Sequence, residues 1–272
     1  MKVQRHIAFF LLASLELFSL DELPWIGDVY EFELNTGFYY SQYSKINHAI
    51  QQPSYSYNNY VTESSLGFVP SENVDVELEL NMARTPGQTY GFRSAALQAR
   101  YLFWDDIAGD LFSLNLGLNT RVVTGRSVKD VSSPYASYWN GEATVSIGKE
   151  FTKDEDWKTR GYLFTSIGVA NHGSFWNRYK AAFELRIMDS QSIEAFSLGY
   201  FGYGSEKDIN IDHFKGWGFI RHHSVDVGAK YSYMPGFLGV LSLSYACRVW
   251  AYSYPTREQA IQVSYNLPFS IF

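Results

Sequence analysis

From Val74 to Met82 the chain reads V-D-V-E-L-E-L-N-M, a strict exchange of apolar and polar positions. Val74, Val76, Leu78, Leu80 and Met82 share one parity, and Asp75, Glu77, Glu79 and Asn81 share the other. Successive side chains of a β-strand point to opposite faces, so this segment has one oily face and one charged face. The pattern recurs along the chain. It predicts strands near 29–41, 58–69, 74–84, 91–104, 111–122, 138–151, 158–171, 177–189, 193–203, 218–233, 238–252 and 259–271. In the first, Tyr30, Phe32, Leu34, Thr36, Phe38 and Tyr40 oppose Glu31, Glu33 and Asn35. In the fifth, Phe112, Leu114, Leu116 and Leu118 oppose Ser113, Asn115, Asn119 and Arg121. In the eighth, Tyr179, Ala181, Phe183, Leu185 and Ile187 oppose Lys180, Ala182, Glu184 and Arg186.

The links between these strands form two sets. Pro70–Asn73, Asp105–Asp110, Thr152–Trp157, Ser190–Ser192 and Met234–Phe237 are short. Residues 42–57, 123–137 and 204–217 make long links, with 85–90, 172–176 and 253–258 less extended. Long and short links take turns, as an up-and-down barrel requires when both chain ends lie on its short-turn side. Most strands reach the ~9–11 residues of a tilted membrane strand. Trp104, Trp139, Trp157, Tyr179, Tyr231, Tyr233, Trp250 and Tyr252 stand near strand ends, where amphipathic rings suit the headgroup level. The predicted fold is all-β, a transmembrane antiparallel up-and-down barrel of twelve strands with its oily faces outward.

Composition agrees with this. Charged residues make up 18% of the chain, against roughly 25% in a typical soluble domain. Aromatic residues also make up 18%. Mean hydropathy is −0.19, because half of each strand is polar. No run after residue 20 approaches the ~20 apolar residues of a spanning helix. Residues 1–19 read as a secretory signal peptide, with Lys2 and Arg5 before an apolar stretch from Ile7 to Leu12. Ser19 is the last residue before cleavage in this reading, although Leu17 departs from an A-x-A site. The barrel then spans residues 20–272. Loss of Lys2, Arg5 and Glu16 takes the net charge from −6 to −7. An exported acidic chain is not built for nucleic acid. Cys247 is the sole cysteine, so no internal disulfide can form, and no cysteine follows the signal to carry a lipid.

The signal segment, the alternating strands and the terminal Phe272 together resemble Gram-negative outer membrane barrel proteins. The resemblance implies lipid contact, two periplasmic termini and a C-terminal aromatic read by the barrel assembly machinery. Ile261, Val263, Tyr265, Leu267, Phe269 and Ile271 share a parity that Phe272 does not, and Pro268 is where a phase-changing bulge is expected.

The polar parity would line the lumen. Strands one to three contribute Glu31, Glu33, Glu63, Asp75, Glu77 and Glu79, while strands four and five contribute Arg100 and Arg121. Later strands contribute Lys180, Glu184, Arg186, Lys230 and Arg248. Strand spacing and tilt give twelve strands a backbone radius of roughly 12 Å. An acidic group facing a mainly basic wall creates a transverse field that filters ions. The reading is a porin-like channel for small hydrophilic solutes. The rival is that the charges pair and close the barrel.

An enzymatic alternative rests on Asn171, His172, Gly173 and Ser174, followed by Trp176, Asn177 and Arg178. This patch resembles the H-x-S-N-G segment of outer membrane phospholipase A, a twelve-stranded barrel. The resemblance implies His172 as base, Ser174 as nucleophile and Asn177 as the group orienting the imidazole. Phe175 stands where that family has Asn, and His172 and Asn177 are closer in sequence than in the family. A third alternative, a structural or adhesive surface protein, draws on the Tyr-, Ser-, Gln- and Asn-rich loop 42–57. Neither His222 and His223 nor Asp212 and His213 has metal-ligand spacing with a third partner. Gly202 and Gly204 precede no helical pattern and so form no phosphate loop; strand curvature is their expected role. No cofactor is implied.

Overall fold

The structure, a computed structural model, describes residues 20–153, 157–188, 190–236 and 239–270. Residues 1–19, where a signal peptide is expected, and Phe272 lie outside the described residues. Twelve long strands form the barrel: β1 Glu31–Tyr43, β2 Tyr57–Ser71, β3 Val74–Thr85, β4 Gln88–Trp104, β5 Ser113–Val123 and β6 Trp139–Lys153. The second half is β7 Trp157–Ala170, β8 Trp176–Ile187, β9 Gln191–Tyr203, β10 Arg221–Tyr233, β11 Val240–Tyr252 and β12 Gln259–Ser270. Each pairs antiparallel with its chain neighbour, and β12 closes the ring on β1 from Glu31↔Ser270 to Gln42↔Gln259. Closure leaves no unpaired edge, the condition for a sheet to span lipid.

Burial is inverted relative to a soluble domain. Leu78 and Leu80 are each 47% exposed, whereas Glu79 between them is fully buried. The same inversion runs round the barrel, with Leu34, Phe38, Leu97, Leu118, Ile167 and Phe183 on the outer face. Trp104, Trp157, Tyr231 and Tyr233 are exposed at the short-turn end, and Trp139 and Trp250 at the other, making two aromatic girdles.

Several local features depart from simple alternation. The link expected over 85–90 shrinks to the turn Pro86 and Gly87, because the β3–β4 ladder runs to Thr85↔Gln88. The strand expected from 218 starts at Arg221, since Trp217–Phe219 form a 3₁₀ turn. The bulge expected at Pro268 does not form: the β1–β12 register passes Glu33↔Pro268 without a shift. The β11–β12 ladder begins at Val240↔Asn266, so Pro268 lies beyond it and its missing N–H removes no bond there. Real irregularities occur elsewhere. A register shift between Asn81 and Met82 adds Arg93 to β4, and one between Val225 and Asp226 puts both Val249 and Trp250 on the outer face.

Candidate functional site

The barrel interior is filled in three layers. At the short-turn end the chain enters the lumen before it becomes a strand. Residues 20–27 fold inside, with Leu20, Pro24 and Trp25 buried. Wall side chains grip this segment along its length. Arg100 donates from Nη2 to Asp21 Oδ2 at 2.7 Å and from Nη1 to the Leu23 carbonyl at 2.8 Å. Gln98 Nε2 donates to the Asp21 carbonyl at 3.0 Å, and Ser146 Oγ to the Glu22 carbonyl at 2.8 Å. Arg178 Nη1 donates to Glu22 Oε1 at 3.0 Å. The Trp25 indole N–H reaches Asp106 Oδ1 at 2.8 Å, while the Arg160 guanidinium lies over its ring at 4.7 Å. Asp106 stands in the turn after β4. Burial alone would raise its carboxyl, but Ser113 Oγ, the Glu150 N–H, the Trp25 N–H and the Lys149 ammonium together hold it below the usual carboxylate range.

Beside this segment lies a cavity of about 530 Å³. Ten of the thirteen sequence-predicted lumen residues line it. Glu31, Glu33, Glu63, Asp75, Glu77 and Arg100 come from β1 to β4, and Lys180, Glu184, Arg186 and Lys230 from β8 and β10. Strand β9 stands six steps round the ring from β3, so the two groups face each other. Their charges also pair locally. Lys180 and Lys230 approach Glu194 at 3.5 and 3.0 Å, and Arg186 approaches Glu184 at 3.6 Å. Arg100 Nε donates to Asp75 Oδ2 at 2.9 Å. The cavity is lined by nine carboxylates and five cationic side chains, so acid is in excess on the β1–β3 wall.

The remaining three predicted residues lie outside the cavity. Glu79 and Arg121 form a buried bidentate pair between β3 and β5. Arg248 sits further outward, donating to Asp226 Oδ1 and Oδ2 at 2.7 and 2.9 Å and to Glu258 Oε2 at 2.5 Å. Between cavity and outer loops, Tyr39, Val61, Ala83, Phe196, Ala246 and Ala260 form an apolar layer, with Leu198 against it.

The third layer is a cap of inward-folded loops. Tyr43, Ile46, Val131, Ala136, Trp176, Tyr200, Ile209, Phe214, Trp217, Ile220 and Tyr254 pack into one buried cluster. Backbone bonds knit the loops: Trp217 N–H to Tyr135 carbonyl at 3.0 Å, Ser174 N–H to Gly218 carbonyl at 2.7 Å, and Ile50 N–H to Ile209 carbonyl at 2.9 Å. Lys45 and Ile46 also pair with Pro255 and Thr256. The bulged Arg93 donates to the Ser132 carbonyl at 3.1 Å and lies over the Tyr135 ring. Loop 42–57 is thus divided, with Ile46 in the cap and Ile50 and Tyr55 exposed. Gly202 and Gly204 serve close approach: a Cβ at Gly202 would fall 2.1 Å from the His222 ring, and one at Gly204 2.3 Å from the Phe219 backbone.

The phospholipase-like patch does not assemble as a triad. Asn177 Oδ1 accepts from the Tyr203 hydroxyl at 2.7 Å, and no hydrogen bond joins His172, Ser174 and Asn177 among the described residues. His172 is exposed in the link after β7. His222 is buried against Trp217, Tyr200 and Tyr254, whereas its neighbour His223 faces out and stacks on Trp250. Two residues on opposite faces of a strand cannot share a metal.

Sequence reasoning missed Asp21, Glu22, Glu142, Arg178, Glu194, Asp226 and Glu258 as interior charges. For Glu142, Glu194 and Asp226 the strand parity was enough to place them inside; for Asp21 and Glu22 no periodic signal exists.

An apolar exterior, two girdles, a charged interior and a closed ring define the outer membrane β-barrel fold. The barrel is similar to an outer membrane channel from Pseudomonas putida F1, with a TM-score of 0.69 and 12% identity over 93% of this chain and 100% of that chain. It is also similar to the NanC porin, with a TM-score of 0.54 and 11% identity over 86% of this chain and 98% of that one. At these identities the likeness is one of fold. No protein-family model matches the chain, and no curated protein sequence matches it.

Proposed function

We propose that the protein is a porin-like channel for small hydrophilic solutes in the outer membrane. The observation that carries this reading is the 530 Å³ polar, charged cavity inside a closed barrel whose exterior is apolar. Residues 20–27 and the outer cap lie across the axis, so conduction requires one or both to yield. In this reading residues 1–19 are removed on export and residues 20–272 form the mature protein. Both termini face the periplasm, the exterior contacts lipid, and the barrel assembly machinery inserts the chain. The charged side chains at the cavity line the solute path. The enzymatic alternative has no observation in its favour, since His172, Ser174 and Asn177 are not linked.

Planar-bilayer recordings of the refolded protein test the proposal, with heat-modifiable gel migration as the folding control. Discrete conductance steps are expected, and Lys180→Glu with Arg186→Glu should move the reversal potential in a salt gradient toward cation preference. Ser174→Ala should leave the steps unchanged. Silence from correctly folded barrels both with and without residues 20–27 would contradict the channel.

A further inference from the structure

Leu20 lies inside the barrel and is only 4% exposed. The next residue, Asp21, donates its N–H to Glu77 Oε2 on β3 at 2.9 Å. Three bonds separate successive backbone nitrogens, which keeps them within ~3.7 Å of each other. The Leu20 nitrogen is therefore held at most about 7 Å from the Glu77 carboxylate.

That carboxylate has no cation of its own. Its donors are the Asp21 N–H and the Ser65 hydroxyl, both neutral, and among the described residues no Lys, Arg or His forms an ion pair with it. Asp21 also lies within electrostatic reach of Glu33 on β1 and Asp75 on β3. Glu31 of β1 and Glu63 of β2 line the same cavity. Acid thus gathers around the start of the inserted segment. The cation bonded there is Arg100, which Asp75, Asp21 and the Leu23 carbonyl already engage. Like charges held together out of water repel until a counter-ion joins them.

Removal of residues 1–19 would create that counter-ion at Leu20. Hydrolysis adds water across the Ser19–Leu20 peptide bond, so that a carboxylate leaves on Ser19 and an amine stays on Leu20. An α-amine titrates near pH 8 and is protonated at neutral pH. The resulting ammonium has three N–H donors on a compact charge.

We propose that the α-ammonium left on Leu20 by this cleavage is the counter-ion of Glu77 and anchors residues 20–27 inside the barrel. The inference rests on the reading that residues 1–19 are removed on export. A chain that keeps them has an uncharged amide nitrogen at this place. Cleavage then completes the contact that seats the segment. The opposite wall does not compete for the ammonium, because Glu194 and Glu184 already neighbour Lys180, Lys230 and Arg186.

The test uses exported protein purified in detergent micelles, with heat-modifiable migration identifying folded chains. Intact mass fixes the first residue, expected to be Leu20. Carbamylation of its amine by cyanate is then followed against pH by mass spectrometry of the N-terminal peptide. Only the neutral amine reacts, so the midpoint of the profile reports its titration. Burial alone would lower that midpoint, whereas a partner carboxylate raises it. The folded chain should have a midpoint at least about one pH unit above that of the same chain unfolded. Glu77→Gln, which keeps an acceptor for the Asp21 N–H, should bring it down. So should a Gly-Ser extension ahead of Leu20, which moves the ammonium and keeps every wall residue. A native midpoint at or below the unfolded value, or one that either folded variant leaves unmoved, would overturn the pairing and leave the removal of residues 1–19 standing. A first residue other than Leu20 would overturn both.

Discussion

Arg100 ties the barrel wall to the chain's own inserted segment, with its Nη2 2.7 Å from Asp21 Oδ2 and its Nε 2.9 Å from Asp75 Oδ2. One guanidinium thus bridges a fixed carboxylate on β3 and a detachable one on residues 20–27. Removing the detachable partner should loosen the segment without leaving Arg100 unpaired. A charge-assisted hydrogen bond contributes about 1.5–3 kcal/mol. Asp21→Ala should therefore raise the open-state occupancy of single channels at least several-fold, with the folded barrel intact on gels. Unchanged gating would mean that residues 20–27 are not held by this contact.

Arg248 performs the corresponding task under the cap. Its side chain is 1% exposed, lies over the Tyr254 ring at 4.7 Å and binds Asp226, Glu258 and the Pro255 carbonyl. Replacing it by methionine would strand two buried carboxylates, a change worth roughly 3–5 kcal/mol. Arg248→Met should lower the temperature at which heat-modifiable migration is lost and open residues 253–258 to protease.

At Gly202 the strand and the cap touch. With His222 only 2.1 Å from where a Cβ would sit, Gly202→Val must displace the imidazole or the strand. Overpacking of this sort costs about 1–3 kcal/mol. Protease cleavage within 204–220 should become faster in this variant, and His222→Ala in the same chain should restore part of the protection.

Acid should release Trp25. The Asp106 carboxyl is depressed in the folded protein, so its contribution is fully present above the ordinary carboxylate pKa of about 4 and is lost as pH falls through the folded value. Among the bonds lost on protonation is that from the Trp25 indole. Trp25 fluorescence, isolated in a variant whose other tryptophans are phenylalanine, should shift to the red below about pH 4 and stay constant from pH 5 to 8. Asp106→Asn should remove the transition.

The barrel was legible because strand parity reports burial with no knowledge of partners. Val74 to Met82 alone separates an outer from an inner face, and every predicted strand has its counterpart. Boundaries moved where turn chemistry prevailed over parity, as at Pro86 and Gly87, which let the hairpin extend to Gln88. The bulge placed at Pro268 was wrong because that proline lies past the last bond of the β11–β12 ladder. The bulges that do occur re-aim Arg93 inward and Trp250 outward, and depend on the register of two strands at once. The lining of the cavity followed from parity, but its filling did not. Asp21 and Glu22 meet Arg100 and Arg178, 79 and 156 positions away, and no local pattern marks a segment that folds into its own barrel.

The most direct test compares single-channel conductance of residues 20–272 with that of residues 28–272, both refolded and heat-modifiable. The intact barrel should give small or infrequent steps, and the truncated one larger and more persistent steps of weaker cation preference, since Asp21 and Glu22 leave with the segment and Arg100 and Arg178 lose partners. Silence from both barrels would contradict a channel. Identical steps would contradict the place of residues 20–27 in the solute path.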